Sequence, residues 1–340
     1  MVGILTFEQA LDNSANQPRR HLLLGNGFSI ACRPDIFVYR RLLEKANFDL
    51  VPKRLRKAFD ILETVDFEEV IRALKYLAKL IELYLDDSSE LKKIIEEESE
   101  ILKDILVKTI ASSHPDRPND ISRDEYQHCK QFLQHFERIF TLNYDLLLYW
   151  TLMQEDIIPN LRCDDGFRKP EDKDAEYVTW EPENTYSQNI YYLHGALHIF
   201  DAGSEIQKYT WIDTGIPLME QIRDALEKNY FPLFVAEGTS EEKLTRIKHS
   251  DYLSKAYRSF IPIKGALFIY GHSLSDNDNH ILRLIEIGKI SQLYVSIYGN
   301  PEDENNIKLI QKANALTTAR HPRNPLEVFF YDAESAQVWR

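Results

Sequence analysis

Three side chains stand where they could move a proton or hold a sugar: Asn143 and Asp145 in Thr141-Leu142-Asn143-Tyr144-Asp145, and His194 in Leu193-His194-Gly195. Each closes a short, β-rich apolar run. Two glycine turns close such runs as well, Gly25-Asn26-Gly27-Phe28-Ser29 after three leucines and Gly271-His272-Ser273 after residues 265–270. A positioned histidine is a general base that contributes about 10² to 10⁴ in rate. An asparagine holds an uncharged carbonyl or a water. Glycines at 25 and 27 permit positive φ and bring backbone close to a ligand, and the amides freed by such a turn suit a pyrophosphate. The set fits cleavage of an N-glycosidic bond to a cationic leaving group, because that group departs neutral. Such a reaction needs an oriented ribose, support for oxocarbenium-like charge and a controlled nucleophile.

These turns have to be carried by a sheet. Residues 138–142, 189–193, 231–235, 265–270, 293–298 and 328–331 read as strands, like residues 22–24, and helices lie between most of them. The expected fold is therefore α/β, a Rossmann-like doubly wound parallel sheet that binds its ligand at the strand ends. Thr6 with Gln9 predicts a capping box opening a first helix, and residues 34–39 read as a loop folding back over the site. From about residue 38 to 137 no strand is visible. Apolar residues there recur at three and four (Phe67, Val70, Ile71, Leu74, Leu77), with helix starts at Asp66 and at Ser122 with Glu125. The expected organisation is one dinucleotide-binding domain, residues 1–37 and 138–340, interrupted by an all-helical insertion, residues 38–137. Residues 155–188 read as irregular, residues 196–211 as a hairpin about Asp201-Ala202-Gly203, the 231–235 strand as ending at Glu237-Gly238, and Asn300-Pro301 as N-cap and first residue of a helix.

With 340 residues, 44% of them hydrophobic, the chain can bury a large α/β core. A net charge of −13 argues against broad nucleic-acid binding. Cys32, Cys129 and Cys163 are far apart, so neither a zinc site nor a disulfide framework is indicated, and a reducing cytoplasm is the expected location. No run approaches the roughly 18 apolar residues of a membrane span, so no membrane association is expected.

In order along the chain, Gly25-x-Gly27-x-Ser29, Thr141-x-Asn143-x-Asp145, His194-Gly195 and Gly271-His272-Ser273-Leu274 resemble the motifs of the sirtuin superfamily. More narrowly, the chain is similar to bacterial SIR2-like proteins of the group termed DUF4917. Glu237-Gly238-Thr239-Ser240 to Lys243, Tyr252-Leu253 and Asp278 to Ile281 add to that likeness. The resemblance implies NAD as a substrate, with Asn143 and Asp145 beside the nicotinamide ribose and His194 as the catalytic histidine. Gly25, Asn26, Gly27 and Ser29 would line the pyrophosphate, with Gly271, His272 and Ser273 toward the adenosine. Asn26 stands where sirtuins usually carry alanine, and the paired zinc cysteines of the deacylases are missing. The implied activity is that of SIR2-like defence proteins: NAD+ hydrolysed to ADP-ribose and nicotinamide, with no metal. A free NADase would harm its host, so a homo-oligomer or a regulatory protein such as a defence ATPase is expected to restrain it.

Two other classes stay open. A nucleotide-sensing module would keep Gly25, Gly27 and Ser273 without needing His194, and a zinc-free deacylase or ADP-ribosyltransferase would need a second groove. His272, His280, Asp276 and Asp278 could imitate a metal cluster, but the expectation is that Asp278 caps a helix whose first turn holds His280. His128 and His135 are read as structural. Lys243 could pair with Glu237 or reach a ligand.

Overall fold

In the computed structural model the described residues are 3–49, 51–85, 88–154, 156, 162–170, 175–184, 186–210, 215–235 and 239–340. Eleven strands are seen among them: β1 (Ile4–Leu5), β2 (Arg20–Leu24), β3 (Arg138–Thr141), β4 (Phe167–Arg168), β5 (Tyr177–Trp180), β6 (Ile190–Tyr192), β7 (Ile199–Asp201), β8 (Ile206–Tyr209), β9 (Lys264–Tyr270), β10 (Lys289–Ile297) and β11 (Glu327–Asp332). Seven form one sheet in the order β1-β11-β10-β9-β2-β3-β6, and every pair in it is parallel. β2 is the origin from which the order runs both ways, β3 and β6 on one side and β9, β10 and β11 on the other. The reversal lies between β2 and β9, and a crevice at the carboxyl ends of those strands is where such a sheet takes its ligand.

The run Leu22-Leu23-Leu24 is continuously apolar because both faces of the sheet are covered. Leu22 and Leu24 join one core with Phe7, Phe28, Tyr126, Phe132 and Leu147, from helices Phe7–Asn13, Gly27–Cys32, Arg123–Leu133 and Leu147–Leu152. Leu23 joins a second core with Ala256, Phe260, Ile281, Ile285 and Leu309, from helices Asp251–Phe260, Asn279–Ile287 and Glu304–Ala319. All three leucines are fully buried, so truncating any of them to alanine costs about 2–5 kcal/mol. The expected doubly wound α/β architecture is what the chain forms.

Between β2 and β3 the described residues contain helices and no strand. The capping boxes at Thr6/Gln9 and Ser122/Glu125 are formed, and Asp66 caps helix Phe67–Leu80 by accepting the Glu68 N–H at 2.9 Å. Residues 34–39 are not a loop: Pro34 stands first in helix Pro34–Phe37, where its missing N–H costs nothing, and a second helix, Tyr39–Lys45, follows at once. Leu102, Leu106 and Ile110 of the long helix Ser89–Ser113 belong to the same continuous core as Leu22 and Leu24, and the helix packs chiefly on helix Phe67–Leu80.

Other boundaries differ from expectation. Two short strands of the supposed irregular region, β4 and β5, join the expected hairpin in an antiparallel sheet, β4-β5-β8-β7, whose charged Lys208 is buried against Asp165 at 2.5 Å. Residues 231–235 make only one bridge, Gly195 to Phe234, and Glu237-Gly238 lies outside the described residues. Asn300 closes a turn by accepting the Glu302 N–H, and the helix starts after Asp303. The two-residue edge strand β1 left no periodic signal.

Candidate functional site

Strand ends β2, β3, β6 and β9 carry the four turns into one place. A cavity of about 320 Å³ at the reversal point is lined by Gly25, Asn26, Gly27, Asn143, Tyr144, Asp145, His194, Gly271, His272 and Ser273. All but one of the sequence-predicted site residues meet here. Ser29 is the exception: it is fully buried behind the wall, where its hydroxyl donates to Asp145 Oδ2 at 2.5 Å and accepts from Asn143 Nδ2 at 3.0 Å. It holds the two polar side chains of the Thr-x-Asn-x-Asp turn and does not face a pyrophosphate. The other Asp145 oxygen accepts the Leu147 N–H at 2.9 Å, so this carboxylate caps a helix and lines the cavity at once. Burial raises its pKa, while the Ser29 and Leu147 hydrogen bonds pull it back.

The glycine turn works differently from its sequence reading. Neither Gly25 nor Gly27 has positive φ, and neither amide is free: Gly25 N–H donates to the Tyr270 carbonyl at 2.9 Å and Gly27 N–H to that of Gly271 at 2.8 Å. What requires glycine is contact between two turns. A Cβ on Gly27 would stand 2.5 Å from Gly271 Cα, and Gly271, at φ +68, admits none either, with Gly27 Cα 2.6 Å away. β2 and β9 are thus locked backbone to backbone at their carboxyl ends.

His194 is held by its neighbours. Its carbonyl accepts the Val235 N–H at 2.8 Å, and Gly195 at φ +79 lets the chain pass where a Cβ would lie 1.9 Å from the Leu233 oxygen. The imidazole runs alongside Tyr144, and its Nε2 faces Nε2 of His280 at 3.0 Å. Burial lowers its pKa well below the usual value against the pull of Asp278, so the ring is neutral near pH 7.

The helices between β2 and β3 supply much of the rest of the wall, which sequence reasoning missed: Phe37, Tyr39, Leu42, Asp66, Glu68, Leu106 and Ile110; Ser275, Asn277 and Asp278 add to it from beyond β9. Asp66 was visible only as a helix cap, and nothing in spacing linked it to strands 70 residues away. Glu68 Oε2 accepts from Lys243 Nζ at 2.7 Å, and Glu68 Oε1 accepts from the Tyr144 hydroxyl at 3.2 Å. Burial raises Glu68 to about 7 despite Lys243, and burial raises Asp66 as well. Lys243 also reaches Asp278 Oδ1 at 3.2 Å; burial works against its charge, but the two carboxylates outweigh that and raise its pKa. Asp278 is pushed up by burial yet held well below the carboxylate range by Lys243 and by the His272 Nε2–H at 3.0 Å. Asp278 occupies the N-cap position as expected, but its carboxylate serves this network and no backbone amide of the helix. Lys243 itself is only 1% exposed and outside the cavity; the described lining holds Asp66, Glu68, Asp145 and Asp278 and no lysine or arginine.

His194, Asp278 and His280 bring ligand-type atoms within 4.8 Å of one another. The two rings lie 22° from coplanar with centroids 5.2 Å apart, which exceeds the N···N distance by nearly both ring radii. They therefore meet end to end, as a donor meets an acceptor, and their ring nitrogens do not converge on a third point. The Lys243 ammonium already sits against the Asp278 oxygen that an ion would take.

A second cavity, about 350 Å³, opens on the other side of the Gly27–Gly271 contact and shares Gly27, Gly271, His272 and Ser273 with the first. Its own walls include Ser296 and Tyr298 at the end of β10, Asn305 and Asn306 in the first turn of helix Glu304–Ala319, and Trp339 and Arg340 beyond β11. Trp339 is fixed by donating its indole N–H to the Phe28 carbonyl at 2.9 Å.

Comparison with known families matches residues 22–339 to a domain of unknown function, DUF4917. The chain belongs to that family. No curated protein matches this DUF4917 chain. Among solved structures it is similar to a crystal structure of a SIR2 homolog–NAD complex, at 12% identity and a TM-score of 0.31, with 93% of this chain and 97% of that chain covered. A likeness that loose carries no residue roles across. No helix among the described residues is long and apolar enough to cross a membrane.

Proposed function

We propose that this DUF4917 chain is an NAD+ glycohydrolase that releases nicotinamide and ADP-ribose. The observation that carries the reading is the composition of one cavity: Asn143, Asp145 and His194 face it together with three further carboxylates and no cationic side chain. Such a wall favours a cation, and the nicotinamide ribosyl end of NAD+ is one. The second cavity, across the glycine contact, has the room and the aromatic and amide groups for an adenosine, with the pyrophosphate over the contact beside Ser273. The order of the motifs from Gly25 to Ser273 supports the same placement.

In this mechanism Asn143 and Asp145, fixed by Ser29, orient the nicotinamide ribose. His194 takes a proton from a water whose oxygen bonds to C1′ of that ribose. The C1′–N bond breaks, its electron pair leaves on the nicotinamide nitrogen, and the proton stays on His194. A histidine of low pKa suffices, because the centre attacked is already close to a cation. The carboxyl groups of Asp66 and Glu68, which line the same cavity, add to the negative surroundings of that charge. The physiological role consistent with this activity is NAD depletion in anti-phage defence, restrained by self-association or by a partner protein. Purified protein incubated with NAD+ is expected to release nicotinamide, and His194→Ala to abolish the release. Full activity in both His194→Ala and Asn143→Ala would remove the assignment.

A further inference from the structure

We infer that His280, on the helix after β9, is the positioning residue for His194: it accepts the Nε2–H of His194 and so leaves Nδ1 of His194 as the nitrogen that addresses the cavity. The inference rests on the reading of His194 as the base, and it goes beyond any sequence motif. Its ground is the end-to-end contact of two buried rings, 3.0 Å between Nε2 atoms, with His194 2% and His280 3% exposed. One nitrogen must donate and the other accept, since neither can turn to water.

The next shell sets the direction. His280 Nδ1 lies 3.2 Å from the Ser240 hydroxyl, whose oxygen also takes the His280 backbone N–H at 2.6 Å. The His280 ring also bonds the Asn277 carbonyl, which can only accept; the ring proton therefore lies on the Nδ1 side, toward that carbonyl and the Ser240 oxygen, and Nε2 of His280 is a lone pair aimed at His194. Ser240 is the first residue of helix Ser240–His249, and Thr239 caps that helix in a formed capping box, so the hydroxyl is held by rigid backbone. The Tyr257 hydroxyl donates to the His280 carbonyl at 3.1 Å and fixes the residue from its other side. His194, once protonated at Nδ1, keeps its Nε2–H on His280, so the imidazolium forms without reorientation. This is the arrangement a base needs when a third group orients it. The charged and titratable groups facing the pair are Asp278, Lys243, His272 and Tyr144, and all but Tyr144 belong to the network that holds Asp278.

The test pairs kinetics with a direct reading of the rings. His280→Leu removes the acceptor, His280→Gln restores one through its amide oxygen, and Ser240→Ala removes the outer partner while leaving both rings. Nicotinamide release is expected to fall about tenfold to a hundredfold in kcat with KM for NAD+ held in His280→Leu, and to recover in part in His280→Gln. In protein labelled with ¹⁵N-histidine, His194 is expected as the Nε2–H tautomer in the wild type and as a mixture in His280→Leu and Ser240→Ala. An Nδ1–H tautomer of His194 in the wild type overturns the inference, as does an unchanged tautomer in both variants. Absence of nicotinamide release from the wild type removes the glycohydrolase reading instead, and the tautomer still decides the geometry.

Discussion

The two cavities on either side of the Gly27–Gly271 contact are nearly equal in volume and opposite in chemistry. One is walled by four carboxylates, three asparagines and two histidines, with no lysine or arginine; the other by a tryptophan, two tyrosines, two asparagines and a single carboxylate, Glu334, paired with Arg340. The difference follows from what each is built of. The second takes only Gly27 and the apolar Ile30, Ala31 and Pro34 from between β2 and β3, whereas the first borrows the carboxylates of Asp66 and Glu68 from there. A common sheet edge can thus bind two unlike halves of one ligand, with the helical segment deciding which half meets negative charge.

Several substitutions break or sharpen that contrast. The largest effect is expected at the shared contact. Gly271→Ala places a Cβ against Gly27 at positive φ, and a loss of about 3 kcal/mol in denaturant unfolding is expected together with loss of ADP-ribose binding. Gly203→Ala, also at positive φ but with nothing within 4 Å, controls for backbone strain alone and should cost about 1 kcal/mol. Next come the reacting groups: His194→Ala and Asn143→Ala should each lower nicotinamide release by about 10²-fold or more while calorimetry still detects ADP-ribose. The halves should then separate. Trp339→Ala is expected to weaken ADP-ribose by about tenfold without changing kcat. Glu68→Gln should leave ADP-ribose binding alone and narrow the preference for NAD+ over NADH, whose nicotinamide ring is uncharged, by about tenfold. Equal effects of both variants on both ligands would dissolve the division into a cationic and an adenosine side.

The smallest expected effect is on pH stability. His21, His114 and His280 are held at about 4, chiefly by burial, below the ordinary histidine value, so the unfolded chain takes up protons first as pH falls. Their stabilisation is complete above about pH 6.5 and is lost on the way to pH 4. Glu68, raised to about 7, acts in the opposite sense, its protonated form favouring the fold as pH drops. These three histidines against Glu68 leave a net loss of about 1 kcal/mol between pH 7 and 6, readable as a lower melting temperature.

The parallel sheet was legible because its strands are apolar on both faces and each ends in a polar or glycine turn. Asn143, Asp145 and His194 were legible for the same reason: topology alone brings strand ends together. Three kinds of feature were not. What requires glycine at 27 and 271 is a contact between two turns, and the approach of Gly271 to Gly27 spans more than 240 residues and leaves no local trace. Ser29 was placed on the ligand by the family resemblance alone, whereas its buried hydroxyl is turned toward Asp145. The partners of Lys243 and His194, Glu68 and His280, come from helices whose own pattern explains their apolar faces and is silent about what their polar residues meet across the fold.

Lys243 has a consequence for how the molecule comes apart. Its ammonium bridges Glu68 of the helical segment and Asp278 beside β9, and the same seam carries Lys79 to Glu242 at 2.6 Å and Arg246 to Glu100 at 3.4 Å. Lifting the helices away would strand a charge in the interior at a cost of about 3–5 kcal/mol. Segment and sheet should therefore melt in a single calorimetric transition, and their amide protons should exchange with one shared opening free energy rather than two.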